Sequence, residues 1–312
     1  MNRRAKLDLT DCALVHLSGV DNADGLVVAL ARALENGKNS HVVQISLVNV
    51  AFGDNGLFAL GKMLETNTGL NTFIILANAA VGFGMAPITH RASAKFGHGI
   101  GVHTGLERLR LGDFVTDAVA VDIAKAFAVN SNGHLREVRI GHGVFGDIGA
   151  AAFAEALMLN TIVSNLSFEE NHIGDAGAIA LSKWIAKSGS LLYDLNLSHN
   201  NISDDGALAV ADAIAVAGEH RNQLARLDLM ENDIGDAGGR GLADAVRINS
   251  RVEQLRLDGN LMRRKVLLEV QHALVHSGSK KGVLATQDLD DEAESFATDD
   301  RPDPAEDVEL EL

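Results

Sequence analysis

The chain has 312 residues, 46 % of them hydrophobic, a formal net charge of −15 and a single cysteine, Cys12. That apolar content suffices for one continuous core without a second domain, and one cysteine excludes an intramolecular disulfide framework and fits a reducing compartment. Residues 1–11 are charged and lack a signal-peptide core, and no stretch is apolar for long enough to span a bilayer, so the composition predicts a cytoplasmic or nuclear protein without a membrane partner.

From the N-terminus, a leucine-type position recurs at Cys12, Val42, Leu70, Leu106, Leu135, Val163, Leu192, Leu224 and Val252. The spacings are close to 28, except for 36 between Leu70 and Leu106. Self-similarity at such a period marks a solenoid of about nine stacked units over residues 1–276, each too small to bury its own apolar face. The first units are degenerate: Val50 and Phe52 stand where later units have Asn and Ile. In the unit from Leu106, Asp117 falls one residue early; in the unit from Leu135, Gly143 replaces the Asn.

The later units repeat cleanly. Leu192, Leu195, Leu197, Asn200, Ile202, Asp204 and Gly206 match Val163, Leu166, Phe168, Asn171, Ile173, Asp175 and Gly177. The same frame returns as Leu224, Leu227, Leu229, Asn232, Ile234, Asp236 and Gly238. Leu195 and Leu197 alternate with Asp194, Asn196 and Ser198, the period-2 pattern of a short half-buried strand. The Asn bonds the backbone of the bend that follows, and the Ile returns to the core. Each Asp then precedes a helical pattern and is expected to cap it. Helix faces are predicted at Ala150, Phe153, Leu157; Ala178, Leu181, Ile185; and Ala207, Val210, Ile214. Glycines 149, 177, 206 and 238 in the first turns predict a close approach of each helix start to its own strand.

This repeated pattern resembles the leucine-rich-repeat family, in particular its ribonuclease-inhibitor-like members, over roughly residues 12–276. The resemblance implies an α/β solenoid, a horseshoe with parallel strands on the concave face and helices on the convex face.

Residues 79–105 break the period. They hold six glycines from Gly82 to Gly105, the only proline of the repeats (Pro87) and His90, His98 and His103. The run Gly97 to Gly101 has the composition of a phosphate-binding nest but lacks the preceding strand and the downstream lysine. The three histidines lack a carboxylate or cysteine to complete a metal set. The segment is therefore read as an irregular, partly packed insertion loop. Ile74 and Leu76 would face the groove uncovered, which predicts that the insertion folds back over them through Phe83, Met85 or Phe96.

Strand alternation places the groove wall in rows. One row runs Arg108, Glu137, Asn165, Asp194, Arg226, Gln254; the next Arg110, Arg139, Ser167, Asn196, Asp228, Arg256; the third Gly112, Gly141, Glu169, Ser198, Met230, Asp258. Candidate binding residues are Arg108, Arg110, Arg139, Glu169, Asp194, Asn196, Arg226, Asp228 and Arg256. Such a graded polar wall suits a protein partner better than a small apolar ligand. No nucleophile elbow, paired-carboxylate site, metal motif or Walker motif is present, so neither an enzyme, a cofactor nor a metal is predicted. His142, His172 and His199 read as polar residues of the bends.

Residues 277–312 form a tail in which positions 286–312 carry twelve acidic residues against Arg301. Its composition predicts disorder, with solubility as its role and partner binding as the alternative. The acidic balance disfavours nucleic acid. The chain is thus expected to be a monomeric, non-enzymatic scaffold for a protein partner. A run of these repeats followed by an acidic tail also resembles the Ran GTPase-activating protein family. That resemblance implies regulation of a small GTPase by polar residues at the repeat edge, here Asn78 and the bend asparagines.

Overall fold

Alternation of inward leucines with outward polar residues produces short strands, and the chain turns back through a helix after each one. In a computed structural model, residues 13–20, 23–35, 39–76, 88–129, 133–187, 190–219, 223–276 and 283–284 are described. The order is β1 (Leu14–Val20), α1 (Asp24–Leu34), β2 (Gln44–Val50), α2 (Asp54–Leu64), β3 (Thr72–Leu76) and α3 (His90–Val102). It continues with β4 (Arg108–Leu111), α4 (Asp117–Val129), β5 (Glu137–Ile140), α5 (Asp147–Leu157), β6 (Asn165–Ser167) and α6 (Asp175–Ile185). The last units are β7 (Asp194–Asn196), α7 (Asp204–Glu219), β8 (Arg226–Asp228), α8 (Asp236–Ile248), β9 (Gln254–Arg256), α9 (Arg264–His276) and β10 (Val283–Leu284).

All ten strands pair in chain order as one open parallel sheet. This is the α/β solenoid anticipated from the period. Between sheet and helices lies a single apolar core. Leu195, Leu197 and the triplets Ala150, Phe153, Leu157; Ala178, Leu181, Ile185; and Ala207, Val210, Ile214 are all buried in it. Trp184 is buried there too, a packing residue.

The bend asparagines do what their position demands. Asn200 Nδ2 lies within hydrogen-bond reach of the carbonyls of Phe168, Leu197 and Ser198, at 2.9, 3.1 and 3.1 Å, and its Oδ1 accepts from Ile173 N at 3.0 Å. Asn171, Asn232 and Asn260 repeat the donor side of the pattern. Each carboxamide thereby staples its own bend to the unit before it. Where Gly143 replaces the Asn, Asn171 Oδ1 sits in the vacated space, 2.5 Å from where a Cβ would stand, and has no hydrogen-bond partner among the described residues.

The helix-start aspartates differ from expectation. Each is the first residue of its helix, preceded by a residue such as Gly146, Gly174 or Gly235 at the cap position, and bonds to the next unit. Asp147 Oδ1 accepts from Gly174 N and Gly177 N, both at 2.8 Å. Asp175 takes Ser203 N and Gly206 N at 2.7 and 2.9 Å; Asp204 takes Gly235 N and Gly238 N at 2.8 and 2.7 Å. Asp24 and Asp117 make the same pair of bonds, so the early position of Asp117 costs it nothing. Every such carboxylate caps the following helix, where free amides and the positive dipole end converge. The first-turn glycines follow from this: a Cβ at Gly206 would lie 2.6 Å from Asp175 Oδ1 and 2.8 Å from Ile202 Cγ2. The close approach is thus to the neighbouring carboxylate and to the helix's own bend, not to its strand.

Residues 90–102 also correct the reading of an irregular insertion. They form α3, a regular member of the helix layer, and Thr89 at its cap position bonds Asp54 through N (2.7 Å) and Oγ1 (2.5 Å). Ten residues separate strand start from helix start between Gln44 and Asp54, or Glu137 and Asp147, but eighteen separate Thr72 from His90. The excess therefore falls between Leu76 and Ile88. Glycines 97, 99 and 101 are helix-packing residues: a Cβ at Gly99 would stand 2.2 Å from Gly61 O, and one at Gly97 2.6 Å from Asp122 O. Their amides belong to the helix, which removes the phosphate-nest reading. The histidines take separate partners. His90 Nδ1 is 2.6 Å from Asp122 Oδ2, His98 lies 3.4 Å from Glu65, and His103 is buried beside Gly105 N. Phe96 does not cover the groove; it is buried in the core with its ring 6.0 Å from that of Phe73 and 6.5 Å from that of Phe114. Cys12, Asn78, Phe83, Met85, Pro87 and residues 285–312 lie outside the described residues, but Val283 and Leu284, inside the tail read as disordered from residue 277, pair with β9 as the last strand.

Candidate functional site on the concave sheet face

Backbone pairing sets the rows of the groove. Arg108 stands opposite Glu137, then Asn165, Asp194, Arg226 and Gln254 follow across successive strands. Two residues along, Arg110, Arg139, Ser167, Asn196, Asp228 and Arg256 are aligned in the same way. Parallel neighbours sit about 4.8 Å apart, so each row is a ladder of side chains pointing away from the core.

At β4 and β5, three arginines share one carboxylate. Glu137 lies 3.8 Å from Arg108, 3.0 Å from Arg110 and 2.8 Å from Arg139. One negative charge cannot neutralise three positive ones, so this end of the groove is basic. Further along, Arg226 approaches Asp194 at 3.7 Å and stacks 5.4 Å from the Tyr193 ring, and Arg256 bonds Asp228 at 2.7 Å. Asn196 Nδ2 donates to Glu169 Oε2 at 2.8 Å. Burial holds Asp194's carboxyl above the usual range, against the opposing pull of Arg226 and Arg139.

Six of the nine candidate residues line one hollow of about 220 Å³: Arg139, Asp194, Asn196, Arg226, Asp228 and Arg256. Its remaining wall includes Asn165, Ser167 and Gln254, which sequence reasoning placed in the rows but did not single out. Ser167 is only 5 % exposed, yet its Oγ has no hydrogen-bond partner among the described residues, and neither has the buried Nε of Arg256.

 Arg110 and Glu169 instead line a second, neighbouring hollow of about 480 Å³, together with Arg139, Val48, Leu76, Asp113 and His142. Arg108 lines neither hollow. The sequence-predicted set therefore divides into a central cluster, a basic end and Glu169 at the bend side.

Beyond the third row, the chain turns through left-handed residues. His142, Glu170, His199 and Glu231 have φ between 49° and 54°, each the fifth residue after its strand start. His142 Nδ1 lies 2.5 Å from Glu170 Oε2. With Glu169, these residues give the bend side of the groove an acidic margin. Of the bend asparagines, three are withdrawn from the surface and Asn260 is half-buried. Asn171, Asn200 and Asn232 are buried, with their amide nitrogens bonded to backbone carbonyls.

A family model described as Leucine Rich repeat matches residues 131–154, 160–182, 191–211 and 224–243. Among solved structures, the chain is similar to "Leiomodin-1 Actin-Binding Site 2 (ABS2)", at 17 % identity and a TM-score of 0.40, covering 62 % of this chain and 91 % of that one. It is similar to a Caenorhabditis elegans tropomodulin C-terminal domain, at 12 % identity and a TM-score of 0.37, covering 60 % and 92 %. A plant ice-binding protein is similar at 16 % identity and a TM-score of 0.37, covering 72 % and 59 %. No curated protein matches the sequence. Among the described residues, no helix is long and apolar enough to cross a membrane.

Proposed function

We propose that this chain, a leucine-rich-repeat protein, is a non-enzymatic scaffold that binds a protein partner across its concave sheet face. The observation that carries the reading is the register of the wall. Charged and amide side chains stand in aligned rows on the sheet, open to solvent; among the described residues they frame one polar hollow and a second, open one that mixes Val48 and Leu76 with Arg110, Arg139 and Glu169. Small-molecule sites are concave and mostly apolar, whereas complementary charge laid over an extended surface steers and registers a protein.

Affinity capture with a charge-reversed pair tests this. Arg226→Glu with Arg256→Glu should lose the partner that the parent chain retains. Lys183→Glu with Arg247→Glu, on the exposed helix side, should keep it. Equal retention by both pairs would contradict the reading. Regulation of a small GTPase is tested separately, by adding the purified chain to Ran and following GTP hydrolysis. The scaffold reading expects the intrinsic rate, because Asn171, Asn200 and Asn232 are buried with their amide nitrogens bonded to backbone carbonyls. Acceleration in catalytic amounts would favour the GTPase-activating alternative.

A further inference from the structure

We infer that the central hollow receives a side-chain carboxylate of the protein partner, an inference that rests on the concave-face reading above. Three observations converge on it. The hollow, about 220 Å³, is sized for a side chain and is lined by three guanidiniums (Arg139, Arg226, Arg256) against two carboxylates (Asp194, Asp228). Its lining thus holds one more guanidinium than carboxylates, Arg139 also bonding Glu137 at 2.8 Å, where Glu137 is shared with Arg108 and Arg110.

Its donors are also under-used. Arg226 and Asp194 are 3.7 Å apart, beyond hydrogen-bond length, and Arg256 bonds Asp228 through Nη1 while its buried Nε donates to nothing described. Ser167, 5 % exposed in the middle of the wall, has a hydroxyl with no partner among the described residues. Buried polar atoms of this kind are normally satisfied, so two of them in one wall mark a place where an acceptor belongs. A carboxylate supplies two acceptor oxygens in the planar geometry that an arginine fork matches. An ammonium would meet three guanidiniums, and the carboxylates facing it already have arginine neighbours. A doubly charged phosphate would face Asp194 and Asp228 at close range with more charge than a carboxylate brings.

The full chain titrated with a hexaglutamate peptide, followed through its arginine Nε–Hε resonances, tests the assignment. The Arg226 and Arg256 signals should shift, and hexaglutamine should leave them in place. Arg256→Gln and Ser167→Ala should each weaken binding, the former by about tenfold, as expected for losing a charge-assisted bond. Ser167→Ala removes only an unpartnered hydroxyl, so an unchanged melting temperature will show that its effect is not unfolding. Arg108→Gln, outside the hollow, should retain binding. Shifts centred on Arg108 and Arg110 that ignore Arg256→Gln would overturn the site. Glutarate or inorganic phosphate binding as tightly as the peptide would overturn the protein side chain as the source, leaving an anion hollow. Loss of partner capture by the Arg226/Arg256 pair without any peptide-induced shift would overturn the carboxylate while leaving the concave-face reading intact.

Discussion

Asp194 and Leu195 are adjacent, yet the fold asks opposite things of them. Leu195 is fully buried between sheet and helices, so Leu195→Ala should cost about 2–5 kcal/mol, the range for truncating a core leucine. Asp194 stands on the groove wall with its carboxyl held above the usual range by burial. An acid whose folded pKa is raised contributes stability below its unfolded pKa and loses it as pH rises. At neutral pH, Asp194→Asn should therefore change stability by no more than about 0.5 kcal/mol, and in the stabilising direction if at all. Urea unfolding of the two variants checks the pair, and the reverse ranking would shift the strand register by one residue. His103 supplies the pH dependence. Burial pushes its imidazole down to about 4, and Nδ1 accepts from Gly105 N at 3.1 Å, which keeps the proton on Nε2. The unfolded chain takes up a proton near pH 6.5, the folded one only near 4, so this residue's contribution falls as pH drops between those values. The slope is at most about 1.4 kcal/mol per pH unit. Melting curves at pH 7.5 and 4.5 should show a smaller acid loss for His103→Gln than for the parent. An equal loss would place the acid sensitivity elsewhere.

At the scale of elements, the starts of α2, α3 and α5 to α9 each bond an aspartate of the unit before. Asp175→Ala removes the acceptor for Ser203 N and Gly206 N and the partner of Ser203 Oγ at the start of α7. It should cost about 1–2 kcal/mol, the range for losing a helix cap, and amide exchange should accelerate at the start of α7 rather than in α6. Acceleration confined to α6 would return the aspartate to its own helix. The strands, the bend asparagines and the buried helix triplets were legible in the sequence, because each follows from local periodicity. The trans caps were not: an Asp at a helix start can serve its own amides or a neighbour's, and only stacking decides. Residues 90–102 were misread for a related reason. Glycines 97, 99 and 101 disfavour an isolated helix, but α3 lies between α2 and α4 at a distance that excludes side chains. Gly99→Ala would press a Cβ within 2.2 Å of Gly61 O, so it should destabilise the chain despite its better helix propensity. A raised melting temperature for Gly99→Ala would contradict this packing.

Among the described residues, contacts between elements run between neighbouring units, strand to strand and helix to helix, with α9 also against β10, so the rigidity of the groove is the accumulated stacking of one repeat on the next. The candidate site inherits its legibility from that regularity. Once the period was set, the rows followed residue by residue: eight of the nine candidates pair across neighbouring strands, and Glu169 lies two residues beyond the end of β6. Their division into a basic end and a central hollow was not legible, because it depends on side-chain reach across strands: three arginines converge on Glu137, while Ser167 Oγ and Arg256 Nε find no partner among the described residues. The most direct measurement is hydrogen–deuterium exchange on the chain alone and with the captured partner bound. Binding across the concave face predicts protection concentrated in β6 to β9 and the bends that follow them, with the exposed faces of α5 to α8 unchanged. Protection confined to the helices, with the strands and bends exchanging as in the free chain, would contradict the account.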